Sequence, residues 1–178
     1  MSKYLTLTTL TAVAAIAASG LGLVSPAKAE DAATKTESKM SANDKKFVKK
    51  AYKGGLTEVA NAEIAKEKAK NDATKEIAER MITDHSKAND QLMEIAKEEN
   101  VDLSKAKAKP AKMSGDDFDK EYLTMLKKDH EQDIAMFEKE ADDSGSKEDS
   151  DVKEFAKKTL PTLKEHLQMV DAALAKVK

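Results

Sequence analysis

The sequence predicts an all-α protein, an antiparallel four-helix bundle built from two helical hairpins. Three observations carry this. Apolar residues recur at alternating three- and four-residue spacing over four long stretches. Turn and breaker residues interrupt these stretches at three places. The rest is dominated by lysine and acids, 31 Lys+Arg against 33 Asp+Glu among 178 residues, with only 4% aromatic residues and three prolines, as expected of helices with solvated outer faces.

The N-terminus reads as a targeting segment. Lys3 precedes an uncharged run from Leu5 to Val24, followed by Ser25-Pro26 and Ala27-Lys28-Ala29. Small residues at the two signal-peptidase positions predict cleavage between Ala29 and Glu30, so residues 1–29 are assigned to a signal peptide and the protein to the periplasm or the medium. Without the segment the chain loses Lys3 and Lys28 and no acid, so the formal charge moves from −2 to −4. No stable membrane anchor is expected after cleavage. The chain has no cysteine, which excludes disulfides, thiolate metal sites and a lipid-modified N-terminal cysteine. It is not basic enough to suggest nucleic acid. Residues 30–43 lack apolar periodicity and are read as a flexible leader, with 44–178 as the bundle domain.

The first helix is predicted over about Asp44–Lys70 with Asn43 as N-cap, the second over about Ala73–Glu99 after a short Asn71-Asp72 turn. So short a connection forces a hairpin. A longer connection, 100–114, contains Pro110 before a third helix that opens at Gly115-Asp116 and runs to Ala141. A polar loop, 142–150, precedes the fourth helix, about Asp151–Val177, in which Pro161 predicts a kink. Placing Glu58 on His130, an offset of 72, also aligns Ile64–Ala69 with Met136–Ala141, a weak internal repeat consistent with two related hairpins.

Each helix carries one candidate ligand. Glu58 is the single charge on the first seam, Val48, Ala51, Gly55, Glu58, Ala62, Ala65 and Ala69. His85 lies on the seam of Ile77 or Ala78, Met81, Ala88, Leu92 and Ile95. His130 shares a face with Leu123, Leu126, Ile134 and Phe137. His166 stands one position beside the seam Leu160, Leu163, Leu167, Val170 and Leu174, so it is a rim residue unless a kink at Pro161 turns it inward; the inward orientation is the one expected, since a proline inside a helix is costly unless it aims the ring. Counted from the helix ends, Glu58 and His85 are level, whereas His130 and His166 differ by ~6 Å at ~1.5 Å per residue. Asp84, Asp129 and Glu165, each directly before a histidine, point about 100° away from it and are expected in solvent or as partners from a neighbouring helix.

Two readings of this layer stand side by side. One Glu with two or three imidazoles suits a single zinc, copper, iron or manganese ion, or a small ligand, with Glu58, His85, His130 and His166 as the metal residues. Alternatively, Glu58 pairs with a protonated histidine in a structural polar layer, and the protein is a non-catalytic envelope interaction protein. An enzyme ranks third, since no nucleophilic triad, phosphate loop or dinucleotide motif occurs. The six methionines within the fold form no Met-x-x-Met cluster and are read as core filling. A homo-oligomer is compatible with the sequence, and no protein partner is indicated.

Several segments together resemble a known family. These are Phe47–Leu56 with Glu58; Arg80-Met81-Ile82-Thr83-Asp84-His85 with Asn89 and Leu92; Phe118-Asp119-Lys120-Glu121-Tyr122 leading to Asp129-His130; and Thr159-Leu160-Pro161-Thr162-Leu163 before His166-Leu167. In that order they resemble exported bacterial proteins catalogued as domain of unknown function 4142. The resemblance implies a ferritin-like bundle and says little of activity. Di-metal carboxylate bundles use Glu-x-x-His pairs. Here Ile82, Lys127 and Leu163 stand three residues before the histidines, which argues against a di-iron centre and for at most one ion.

Overall fold

The computed structural model describes residues 40–113, 115, 117–145 and 150–177. The signal-peptide assignment and most of the leader lie outside the described residues. Four helices make up the regular structure: α1 (Ala42–Lys68), α2 (Asp72–Glu98), α3 (Phe118–Ala141) and α4 (Asp151–Leu174). Among the described residues there is no strand, and no helix is long and apolar enough to cross a membrane. Helix α1 packs most extensively on α2, and α3 on α4; α2 also meets α4 and α1 meets α3, which closes a four-helix bundle.

Local chemistry sets the helix boundaries. The expected N-cap at Asn43 is displaced to Ser41, because Ser41 and Asp44 form a capping box: Asp44 N donates to Ser41 Oγ at 3.1 Å and Ser41 N to Asp44 Oδ2 at 3.3 Å. The first turn thus includes residues assigned from sequence to the leader. Asn71 caps α2 through Ala73 N at 2.9 Å, and Ser150 caps α4 through Lys153 N at 3.2 Å. Beyond the Glu99 C-cap of α2, Asn100 has a left-handed φ of 53°, while Val101 N bonds back to Ala96 O at 2.7 Å. This is a Schellman arrangement with Asn in place of the usual Gly. Helix α3 opens at Phe118, later than the expected Gly115, and α4 ends at Leu174 rather than Val177.

Contacts remote in sequence fix the connections. Asp119 of α3 accepts Lys70 N and Asn71 N, both at 3.0 Å, and so holds the α1–α2 turn from across the bundle. The long connection after α2 is tied to α1, with Lys109 N on Thr57 Oγ1 at 3.1 Å and Ala111 N on Asn61 Oδ1 at 2.8 Å.

The core has two apolar halves. One gathers Phe47, Val48, Leu92, Phe137, Val152, Phe155 and Leu163 with their neighbours, its aromatic centre a T-shaped Phe47–Phe137 pair at 4.9 Å. The other gathers Ala62, Ala65, Ile77, Met81, Tyr122, Leu123, Leu126 and Val170. In every helix the candidate ligand falls between the residues given to the two halves. The predicted seam of α1 is buried throughout, whereas in α2 Asn89 and Ala96 are more buried than the expected Ala88 and Ile95, and in α3 Ile134 is only half-buried. In α4 the buried positions are Leu163, His166, Val170 and Ala173, whereas Leu160, Leu167 and Leu174 are only half-buried.

Gly55 is required by a close approach. A Cβ at this position would stand 2.3 Å from Asn89 Oδ1 and 3.0 Å from Asn89 Cγ. Asn89 is itself buried, so its side chain has little room to retreat. Gly55→Ala should therefore lower stability in the natural sequence. In an Asn89→Ala background the same substitution should raise it by up to about 1 kcal/mol, the helix propensity of Ala over Gly. Urea denaturation of the four proteins checks this; the same sign in both backgrounds would show that Asn89 is not the obstacle.

Candidate metal centre

All four predicted residues meet in the middle of the bundle. Glu58, His85, His130 and His166 are 5%, 6%, 0% and 1% exposed, which places the whole layer in the interior. His166 faces inward, the second of the two orientations left open by the sequence. The level mismatch expected between His130 and His166 is absent, their rings lying 5.2 Å apart between centroids. That expectation assumed flush helix ends.

The contacts divide each ring into an outer and an inner nitrogen. His85 Nδ1 lies 3.1 Å from Glu58 Oε2, His130 Nδ1 lies 3.1 Å from the Leu126 carbonyl oxygen, and His166 Nε2 lies 2.9 Å from Asp84 Oδ2. Each ring thus sets one nitrogen against an oxygen on its outer side. His130 Nε2 and His166 Nδ1, the opposite nitrogens, face each other at 3.1 Å, and His85 Nε2 is buried with no hydrogen-bond partner. One ring nitrogen from each histidine lies within 4.8 Å of the other two. Glu58 stands outside this convergence of three: it contacts His85, and its Oε1 is 3.4 Å from His130 Nδ1, whose proton the Leu126 carbonyl accepts. A ring nitrogen that donates to carboxylate or carbonyl while its opposite nitrogen looks inward is the arrangement that orients imidazoles toward a metal.

Proton counting sharpens this. The chain Leu126 O, His130, His166, Asp84 contains three close contacts, which need three protons, and two neutral imidazoles supply two. One contact therefore sets lone pair against lone pair, unless a ring is protonated or a cation is shared. Burial disfavours the proton. It pulls His85 down to about 3 and, with the neighbouring His130 and His166 adding to it, keeps that ring neutral. Burial, then His166, pulls His130 down to about 4, and burial lowers His166 although its bond to Asp84 opposes the shift. Two nitrogens bound to one tetrahedral ion at ~2.0–2.1 Å stand about 3.3 Å apart, close to the observed His130–His166 separation.

The acidic residues beside the histidines have separate tasks. Asp84 crosses from α2 to His166 of α4 and also pairs with Arg80, which reaches Glu165 at 3.4 Å. Its partial burial acts upward, and the Arg80 and His166 bonds outweigh it to hold the carboxylate below its usual range. Glu58 is pushed well up, first by burial and then by the Asp133 and Asp129 carboxylates. Asp133 and Asn89 were not among the sequence candidates. Their signal was spacing: Asn89 follows His85 by four residues and Asp133 follows His130 by three, each on its histidine's face. A cavity of about 30 Å³ adjoins the layer, lined by Glu58, Asp84, His85, Asn89, Asp133 and His166 among others. That volume suits an ion or a water molecule.

Fold and site together define a helical bundle with a histidine-lined middle. The chain belongs to the family described as Domain of unknown function (DUF4142), whose model matches residues 29–173. No curated protein and no solved structure matches it.

The depressed histidines give stability a definite sign. Unfolded histidines bind protons below about 6.5, while His85 and His130 in the fold refuse them until about 3 and 4, so the unfolded state holds more protons in that window. The metal-free protein should thus lose stability as pH falls from about 6.5 toward 4. An NMR titration should show the His85 and His130 rings still neutral at pH 5. Midpoints near 6.5 would mean that the rings are solvated.

Proposed function

We propose that this chain is an exported protein with an antiparallel, ferritin-like arrangement of helices that holds a single divalent transition-metal ion on His85, His130 and His166, as a binding or metal-handling protein of the cell envelope rather than an enzyme. The alternation of core halves supports the antiparallel arrangement, since α1 and α4 pass from the Phe137 cluster to the Tyr122 cluster and α2 and α3 pass the other way. The Leu5–Ala29 segment supports export.

The proton shortage along the Leu126–His130–His166–Asp84 chain carries the metal reading. Three buried neutral imidazoles, each oriented by an outer oxygen, offer a nitrogen-rich set suited to zinc, copper, iron or manganese. Glu58 is then an orienting partner of His85, and Asp84 of His166. A purely structural layer would complete its hydrogen bonds; this one leaves His85 Nε2 and Glu58 Oε1 unpaired.

Protein purified from its native compartment without a metal-binding tag should contain one ion per chain by elemental analysis. His85→Ala, His130→Ala and His166→Ala should each abolish stoichiometric binding, while Glu58→Gln and Asp84→Asn should weaken affinity by about 10–100-fold. Absence of the ion, together with no uptake of zinc, copper, iron or manganese by the metal-free protein, would leave the structural layer as the correct reading.

A further inference from the structure

The three converging nitrogens are one short of a tetrahedral set. His85, His130 and His166 each offer an atom within 4.8 Å of the other two, and among the described residues no carboxylate oxygen belongs to that group. The nearby carboxylates are committed to the outer sides of the rings: Glu58 Oε2 lies 3.1 Å from His85 Nδ1, and Asp84 Oδ2 lies 2.9 Å from His166 Nε2. An ion held by three imidazoles keeps its fourth position for a ligand from outside the chain.

The second observation is Asn89, one turn beyond His85 on α2. Its side chain is 6% exposed, and its Oδ1 is buried without a hydrogen-bond partner. A carboxamide oxygen only accepts, so whatever answers it must carry a proton. Gly55 gives it room, since a Cβ at that position of α1 would run into Oδ1. Asn89 and Gly55 line the cavity of about 30 Å³ together with His85 and His166, so the unanswered acceptor and two of the three imidazoles border one space. That space admits a water molecule.

We propose that this cavity seats a water molecule that is the fourth ligand of the ion, positioned by donating one of its protons to Asn89 Oδ1. The proposal rests on the metal reading above and deepens it. Coordination to a cation polarises water and strengthens it as a donor, which suits a buried acceptor that lacks any other partner. A small anion in the same position would set lone pairs against the carboxamide oxygen and offer no proton. Asn89 therefore favours solvent over anions, and the centre is open to exchange.

Pulsed electron paramagnetic resonance of the Cu²⁺-loaded protein in ¹⁷O-enriched water tests this. Imidazole nitrogen couplings should appear together with a strong ¹⁷O coupling from a directly bound oxygen. Copper held by the imidazoles without that ¹⁷O coupling would overturn the solvent position and leave the three-histidine centre standing. No copper uptake on these histidines would remove the centre and the solvent position together. Fluoride, which matches water in size and carries no proton, then reads Asn89 through its ¹⁹F splitting of the copper signal. Asn89→Ala should tighten fluoride by about tenfold and Asn89→Asp should weaken it by about tenfold, with copper bound in both. Fluoride affinity equal to that of the unaltered protein in both variants would remove Asn89 from the position. The ¹⁷O coupling of the unaltered protein decides for or against the water even where a variant fails to fold.

Discussion

The structure depends on a polar layer placed across the middle of an otherwise apolar bundle. Glu58, His85, His130 and His166 separate the Phe137 half of the core from the Tyr122 half, and each helix contributes one member. Such a layer is expensive, because every unpaired atom in it forfeits hydration. It also fixes register. Sliding any helix by one turn would bring an apolar side chain against an imidazole and strand the imidazole's outer nitrogen. The apolar halves, rich in alanine and leucine, would tolerate such a slip far better, so the layer supplies the specificity that they lack.

The network reaches outward from the layer to the surface. Asp84 is the hinge of this connection, since it serves His166 within and Arg80 without, and Arg80 reaches Glu165 on the helix that bears His166. Helices α2 and α4 are thereby stitched through one half-buried carboxylate. Exposed Arg–Glu contacts add little stability alone. Here the guanidinium has a second effect: it keeps Asp84 ionised, and an ionised Asp84 fixes which nitrogen of His166 bears the proton.

Much of this was legible in the sequence because helical periodicity places side chains by angle. Four amphipathic stretches gave four helices, and the seam positions of Glu58, His85 and His130 followed directly. The inward turn of His166 was expected from Pro161 and not from the seam itself, which left the ring at its edge. Counting Leu160, Leu163, Leu167, Val170 and Leu174 as the seam favours the bulky residues, whereas close packing on α3 selects Leu163, Val170 and Ala173 and brings His166 between them. The capping box at Ser41 was hidden by the more obvious Asn43. The division of roles between Glu58 and the histidines was also out of reach, since it depends on which nitrogen of each ring faces which oxygen. Periodicity assigns a face and a level; it does not assign an atom.

This difference in roles separates the present bundle from carboxylate-bridged di-metal centres. There a Glu three residues before each histidine supplies bridging charge on the same helix face. Ile82, Lys127 and Leu163 occupy those positions here, and the anions have moved outward by one layer: Glu58 behind His85 and Asp84 behind His166. Outer carboxylates strengthen imidazoles as donors without occupying the ion's coordination sphere. A centre of this kind presents three neutral nitrogens, and its charge balance comes from groups that never touch the ion. Its selectivity would follow from nitrogen preference and the size of the enclosure, which favours borderline transition metals over magnesium or calcium. The unpaired His85 Nε2 and the proton missing along the Leu126–His130–His166–Asp84 chain would both be answered by one cation held among the three rings.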